Sequence, residues 1–370
     1  MPQRPDPEEI PPPGIVFDSD MGNTIDDALA LALLYGFDSR RPAEADLVSV
    51  SVSKSNLKAA ALCEAIGGFY SDHSSRQIPE RFRRRRMLPV GLSVAGKMPE
   101  DTALLSDVLG KQKDDGSPLY AHGIHKLNDT ADCAALIRNA FTARQDDNCV
   151  VILTGPATNL AAVLELNGAR EWIERKVRFL TVAAGHFPDG PADPHTKTDI
   201  AAAKKLFAEW PTPIVVAGYE IGEAIPYPAS SIERDYNWSP HHPIVDAYRA
   251  YKAMPYDADA WAMAAVLYAV RPNDNYFDLS GPGTISVLDD GRLSFSASAE
   301  GRHRHLIVNP SQKHCVVEAY TEIASAEPPP RELPRFLRRI IEEEKKKQEE
   351  EKLKQQQATP TEAKPEPPPK

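Results

Sequence analysis

Four carboxylates crowd one short stretch of this chain. Asp18 and Asp20 close an apolar run that begins at Ile15, and Asp26 and Asp27 open another that begins at Ala28, with a glycine-containing turn between them. An aspartate at the start of a helix is explained by capping and by the helix dipole. Four together are harder to explain, because like charges held close repel unless a cation sits among them. A hard divalent cation with oxygen ligands, Ca²⁺ or Mg²⁺, is the natural counter-charge. A second stretch, Val150-Val-Ile-Leu-Thr-Gly-Pro-Ala-Thr-Asn, has the form of a strand, a tight turn and a helix start. Thr158 and Asn159 suit a helix cap there.

The elements that must hold these residues follow from hydrophobic period. Short apolar runs at 15–19, 46–53, 88–92, 149–154, 178–183 and 213–217 read as strands. Helical patterns at 26–36, 56–70, 130–144, 157–166, 199–209 and 260–270 alternate with them. That alternation implies an α/β fold, a mostly parallel sheet with helices on both faces. In such sheets ligands bind beyond the carboxyl ends of the strands, where Asp18, Asp20 and Thr154 all fall. Residues 283–308, with an Asp-Gly turn at Asp290-Gly291, read as a small antiparallel β appendage near the C-terminal end. The expected organisation is a Pro-rich lead-in at 1–13, one domain at 14–327 and a charged, Pro-rich helical or disordered tail at 328–370.

Composition narrows the function. At 370 residues, 42% of them hydrophobic, the chain can bury a sizeable core. A net charge of −10 argues against nucleic acid as a partner. Arg81, Arg83, Arg84, Arg85 and Arg86 form a basic run without interleaved aromatics or a glycine cradle, so it reads as a solvated loop face. The four cysteines lack CxxC spacing, which suggests neither zinc nor a disulfide framework. No apolar run is long enough for a membrane span, and the amino terminus lacks the apolar region of a signal peptide. A cytoplasmic protein is the default, with secretion or periplasmic export after removal of a leader left open.

The first stretch resembles the amino-terminal signature of the inosine-uridine preferring nucleoside hydrolases, in the longer form Asp-x-Asp-Met-Gly-Asn-x-x-Asp-Asp. The second resembles that family's Gly-Pro-Leu-Thr-Asn-Ile-Ala motif. The resemblance implies a Ca²⁺-dependent hydrolase that cleaves the N-glycosidic bond of a small-molecule ribonucleoside, with homodimers or homotetramers common. It makes Asp20 metal ligand and general base, Asp27 a second ligand, and the Thr154 backbone carbonyl a third. Asp26 would hold ribose hydroxyls, and Asn56 is a further candidate for substrate binding. His122, in Tyr120-Ala-His-Gly-Ile-His, takes the place of a histidine near the leaving base, with His125 a weaker candidate. Where the family carries Glu-Phe-Asn to grip the sugar, this chain has Asp193-Pro194-His195. His186 and His195 would then allow a ligand other than an ordinary nucleoside.

The late helix Ala260-Trp-Ala-Met-Ala-Ala departs from the family, which has Trp-Asp where this chain has Trp261-Ala262. The family's last carboxylate ligand is therefore absent, and Asp259 or Asp257 would have to replace it unless both only cap the helix. Two alternatives accompany the hydrolase reading. One is a diverged, non-catalytic member that binds sugars or nucleosides, on account of Ala262, Asp193 and His195. The other is a haloacid-dehalogenase-like phosphatase, because Asp18-Ser-Asp20 after an apolar strand also resembles that family's nucleophile motif.

Overall fold

A computed structural model of the chain describes residues 11–83, 88–331, 333 and 335–358. Residues 1–10 of the lead-in, 84–86 of the arginine run and 359–370 of the tail lie outside the described residues. Two compact units are present, one of residues 1–73 and 85–329 and one of residues 74–84 and 330–370. The smaller contains a helix, Arg335–Ala358, and a short turn of 3₁₀ helix, Glu80–Phe82. Within it Arg81 pairs with Glu344, and Arg83 donates to the Ile78 carbonyl at 2.7 Å.

The larger unit is built on a ten-stranded sheet. Its strands are β1 (Gly14–Ser19), β2 (Asp46–Lys54), β3 (Val90–Lys97), β4 (Cys149–Thr154), β5 (Val177–Ala183), β6 (Ile214–Ala217), β7 (Phe277–Leu279), β8 (Gly283–Val287), β9 (Leu293–Ala297) and β10 (His303–Val308). They lie in the order β3-β2-β1-β4-β5-β6-β10-β8-β9, with β7 paired to β10. From β3 to β10 the pairing is parallel. The expected antiparallel strands near the C-terminus are present as β8, β9 and β7, and β10 joins them to the sheet by pairing parallel to β6 through His303–His305.

Burial explains why β1 and β4 read as unbroken apolar runs: every residue of both is buried. Successive side chains point to opposite faces, so Ile15 and Phe17 enter one core and Val16 the other. Helices Asp26–Ser39, Leu57–Ser74, Trp261–Val270 and Lys313–Ala324 fill the first core. Helices Cys133–Thr142, Thr158–Leu164, Ala169–Lys176 and Ile200–Glu209 fill the second. Helix Cys133–Thr142 is shorter than its periodicity suggests because Asp132 caps it, accepting from Ala135 N at 2.8 Å. Helices Ala103–Leu109, Tyr219–Ala224, Pro243–Tyr251 and Lys313–Ala324 were not legible from apolar period.

Register brings the chemistry to one edge. Asp18 lies opposite Ser51 of β2 and Leu153 of β4, and Ser19 opposite Val52 and Thr154. β1 and β4 therefore end together directly before the first helix, and β2 runs two residues further, to Lys54.

The far end of that helix is fastened separately. Arg271, just past helix Trp261–Val270, donates to both oxygens of Glu44 at 2.7 and 2.9 Å. Its guanidinium also lies 5.2 Å from the centroid of the Phe37 ring. Bidentate, ring-stacked arginine is poorly replaced by other residues. Arg271→Ala should lower the unfolding free energy by about 1–3 kcal/mol. Urea melts of the two proteins read this directly, and coincident midpoints would show that the clamp adds nothing.

Candidate active site

The four aspartates are all buried, at no more than 2% exposure. They nevertheless have four different surroundings. Asp18 accepts from Asn159 Nδ2 at 3.2 Å with one oxygen and leaves the other unpartnered. Burial, opposed by the Asn159 hydrogen bond and helped by the field of Asp20, pushes its pKa up to about 8. Asp27 Oδ1 accepts two hydroxyls, from Ser19 at 2.8 Å and Thr154 at 2.6 Å. Burial and then the field of Asp20 raise its pKa to about 7 against those two bonds.

Asp26 does not cap its own helix. Its Oδ2 accepts from Ala262 N at 2.6 Å and its Oδ1 from Met263 N at 3.5 Å. The residue before that helix, Ala260, offers no side-chain cap, so Asp26 supplies one from another helix. Burial holds the Asp26 pKa well above the ordinary carboxylate value, against its bond to Ala262. The sequence expectation that Asp26 holds ribose hydroxyls meets a carboxylate already committed to backbone donors.

Asp20 differs from the other three. Its Oδ2 accepts from Asn23 Nδ2 at 2.6 Å, and its Oδ1 is buried without a hydrogen-bond partner. The nearest group to that oxygen is His195 Nε2, at 3.6 Å. His195 Nδ1 lies 3.1 Å from the Ala183 carbonyl, which can only accept, so Nδ1 carries a proton. Burial alone would strip the second proton from this ring. The fields of Asp20, Asp193 and Asp27 and the Ala183 bond outweigh burial and raise its pKa above the usual histidine value. The Nε2 edge of the His195 ring therefore faces the free oxygen of Asp20.

Sequence reasoning missed Lys54. It is buried at 1% exposure at the last position of β2, and its Nζ donates to Asn23 Oδ1 at 2.6 Å. Burial lowers its pKa, while Asp20, Glu100 and Asp101 pull it back up. A signal existed: a lysine ending a strand of otherwise buried residues, before a helix, is where such sheets bind ligands. Tyr219 was also missed. Its ring lies 4.5 Å from Trp261 and 6.5 Å from His195, and burial together with the surrounding aspartates keeps its phenol protonated.

Two glycines of the motifs are fixed by space. Gly22 has φ +100°, and a Cβ there would meet Leu105 at 2.4 Å. A Cβ on Gly155 would meet Asp20 N at 2.6 Å, so the turn after Thr154 packs directly on the first motif.

Several expected site residues turn out to serve the scaffold. Asp193 caps helix Pro194–Thr198 and accepts from Gly185 N at 2.9 Å and from Thr196 N and Oγ1 at 3.0 and 2.5 Å. Asn56 ties the following loop by donating to the Pro99 carbonyl at 3.0 Å and accepting from Lys58 N at 2.9 Å. Asp259 is exposed, with Glu223 and Lys252 as its charged neighbours, and Asp257 accepts from Ala229 N at 2.8 Å. Asp257 is thus committed to a backbone amide, and Asp259 is solvent-exposed ahead of the helix that carries alanine at 262. His122 lies in a loop held by Glu64, which accepts from Gly123 N and Ile124 N at 2.5 and 3.0 Å. Its ring neighbour is His125 at 5.0 Å, and burial lowers its pKa. His186 sits 3.9 Å from Glu220.

Calcium takes roughly six to eight oxygen ligands, and this donor set does not fit such a cage. Asp27 Oδ1 is taken by two hydroxyls and both Asp26 oxygens by backbone amides. Position 262 is alanine, and Asp259 is exposed. Among the described residues no group of three or more His, Cys, Asp or Glu side chains forms a ligand cluster.

Comparison with known proteins gives a consistent picture. The profile of the inosine-uridine preferring nucleoside hydrolase family matches residues 15–324. No curated protein matches the chain. Among solved structures, a plant nucleoside hydrolase is 17% identical with a TM-score of 0.58, over 85% of this chain and 100% of its own. A purine-preferring ribonucleoside hydrolase from Gardnerella vaginalis is also 17% identical, with a TM-score of 0.58, over 84% and 99%. An inosine-uridine preferring nucleoside hydrolase from Bacillus anthracis is 15% identical, with a TM-score of 0.57, over 84% and 99%. At these identities the likeness establishes the fold, and the phosphatase alternative loses its footing.

The raised Asp18 pKa has a consequence for stability. A carboxyl that titrates at about 8 when folded and near 3.8 when free binds more protons in the folded state between those values. Its contribution is complete below the lower value and is lost as pH rises through the upper one. Denaturant midpoints should therefore fall between about pH 5 and pH 8, and Asp18→Asn should flatten that decline. Equal slopes in the two proteins would mean that Asp18 is ionised throughout.

Proposed function

Because the chain belongs to the inosine-uridine preferring nucleoside hydrolase family, we propose that it hydrolyses the N-glycosidic bond of ribonucleosides, giving ribose and the free base. The observation that carries this reading is Asp20 Oδ1, a buried carboxylate oxygen without a hydrogen-bond partner beside the strand ends where this fold binds ligands. Such an oxygen suits a general base.

In the proposed reaction a water oxygen bonds to the anomeric carbon as the carbon–nitrogen bond breaks. The sugar passes through an oxocarbenium-like state. Asp20 takes the water's proton, and the departing base leaves with the bonding pair and gains a proton. His195, anchored at Nδ1 by the Ala183 carbonyl, orients the Asp20 carboxylate. The carboxylate of Asp27 places negative charge near the developing cation. His122, which burial keeps neutral, suits a hydrogen bond to the leaving base. The Tyr219–Trp261 pair offers an aromatic wall for a planar base or a sugar face.

Family members are generally metal-dependent, and Ca²⁺ is the ion that the sequence motif implies. Since the donor set here does not fit a calcium cage, no step is assigned to an ion. Binding without turnover is a second reading, favoured by Ala262 and by the commitment of Asp26 and Asp193 to backbone donors.

Reducing-sugar release from a panel of purine and pyrimidine nucleosides separates the two. The hydrolase reading expects release, lowered about 10²- to 10⁴-fold in Asp20→Asn. Nucleoside binding by calorimetry with no sugar released from any member of the panel would establish the second reading instead.

A further inference from the structure

The counter-charge for the buried carboxylates is present as side chains of this chain. Lys54 Nζ bonds to Asn23, Asn23 bonds to Asp20 Oδ2, and His195 faces Asp20 Oδ1. Asp20 thus meets the Lys54 ammonium through the Asn23 amide at one oxygen and the His195 ring at the other. Lys54 reaches this place because β2 runs beside β1 and ends beyond it, with Ser19 opposite Val52. Its side chain is almost wholly covered, so its ammonium acts on its neighbours through a medium less polar than bulk water.

From this arrangement we infer that Lys54 is the resident cation of the site and holds charge that a divalent ion would otherwise hold. The same region lacks the ligand that position 262 would supply and gives both Asp26 oxygens to the helix Trp261–Val270. Loss of donors and gain of an ammonium act in the same direction. A dication entering beside Asp20 would meet the Lys54 ammonium as a like charge and would have too few oxygens to replace its hydration shell. Lys54 acts on substrate geometry through Asn23 and Asp20, so it is a positioning residue.

The inference concerns the same pocket as the proposed hydrolysis but is tested without turnover, by metal content and calcium binding of the full chain. Purified wild-type protein should carry no stoichiometric metal by elemental analysis. Its melting temperature should be unchanged by EDTA or by about 5 mM calcium chloride, a level that fills even weak extracellular-type sites. Ala262→Asp combined with Lys54→Met should bind calcium at least about tenfold more tightly than Ala262→Asp alone, since affinity follows the charge of the site. Ala262→Asp combined with Lys54→Arg should not. About one metal equivalent in the wild type, or a calcium-dependent rise in its melting temperature, would overturn the inference whether or not any variant folds. Equal calcium affinity with and without the Lys54 ammonium would overturn the role of Lys54. Absence of sugar release would count against the hydrolase reading and leave these measurements standing.

Discussion

One carboxylate, Asp26, holds the start of helix Trp261–Val270 from the first turn of helix Asp26–Ser39. The late helix begins without a cap of its own, so its first amides need an acceptor from elsewhere. The positive end of its dipole makes an aspartate the fitting partner. Because the bond crosses 236 residues of sequence, it draws the end of the sheet domain back onto its beginning. Trp261, Tyr219 and the carboxylates of the first motif are then held in one place. At the other end of the same pair of helices, Arg271 and Glu44 make a second tie. Two helices fixed at both ends form a rigid wall, which is what a preorganised site needs.

That constraint also divides labour among four residues that look equivalent in sequence. Burial affects all of them, yet each has a different set of donors. Asp26 faces backbone amides, Asp27 two hydroxyls, Asp18 an amide side chain, and Asp20 an amide and an imidazole ring. A low-dielectric surround makes those differences large, because every missing or added hydrogen bond acts at greater strength than in water. Asp18 and Asp20 each keep an oxygen without a hydrogen-bond partner, and only that of Asp20 faces the His195 ring. Like charges crowded together thus do not require one shared ion. They can be settled one at a time, three as caps or acceptors inside the scaffold and one by an amide that carries a lysine ammonium and by a neighbouring imidazole.

Much of this was legible before any coordinates. Apolar period placed β4 at its observed bounds and β1, β2, β5 and β6 within a residue. Parallel order and the location of Asp18, Asp20 and Thr154 at strand ends followed from the alternation of strands and helices. Short helices such as Ala103–Leu109 and Tyr219–Ala224 escaped because they carry too few turns to show a period. Roles carried over from motif resemblance fared less evenly. Asp193 and Asn56 have the right side-chain chemistry, but each is consumed by a local cap or loop tie. Asp259 is close in sequence to position 262 and exposed in space.

The amino-acid sequence by itself determined the parallel sheet, its two-sided burial and the gathering of four aspartates where β1 meets its helix. Those are properties of local period and of strands that must bury both faces. Which aspartates keep a free oxygen, and that Lys54 and His195 gather at Asp20, was decided only by the tertiary structure. Hydrogen-bond satisfaction and charge pairing depend on distances of a few ångströms between residues far apart in the chain. Nothing in the spacing of Asn23, Lys54, His195 and Ala262 along the sequence announces that they meet.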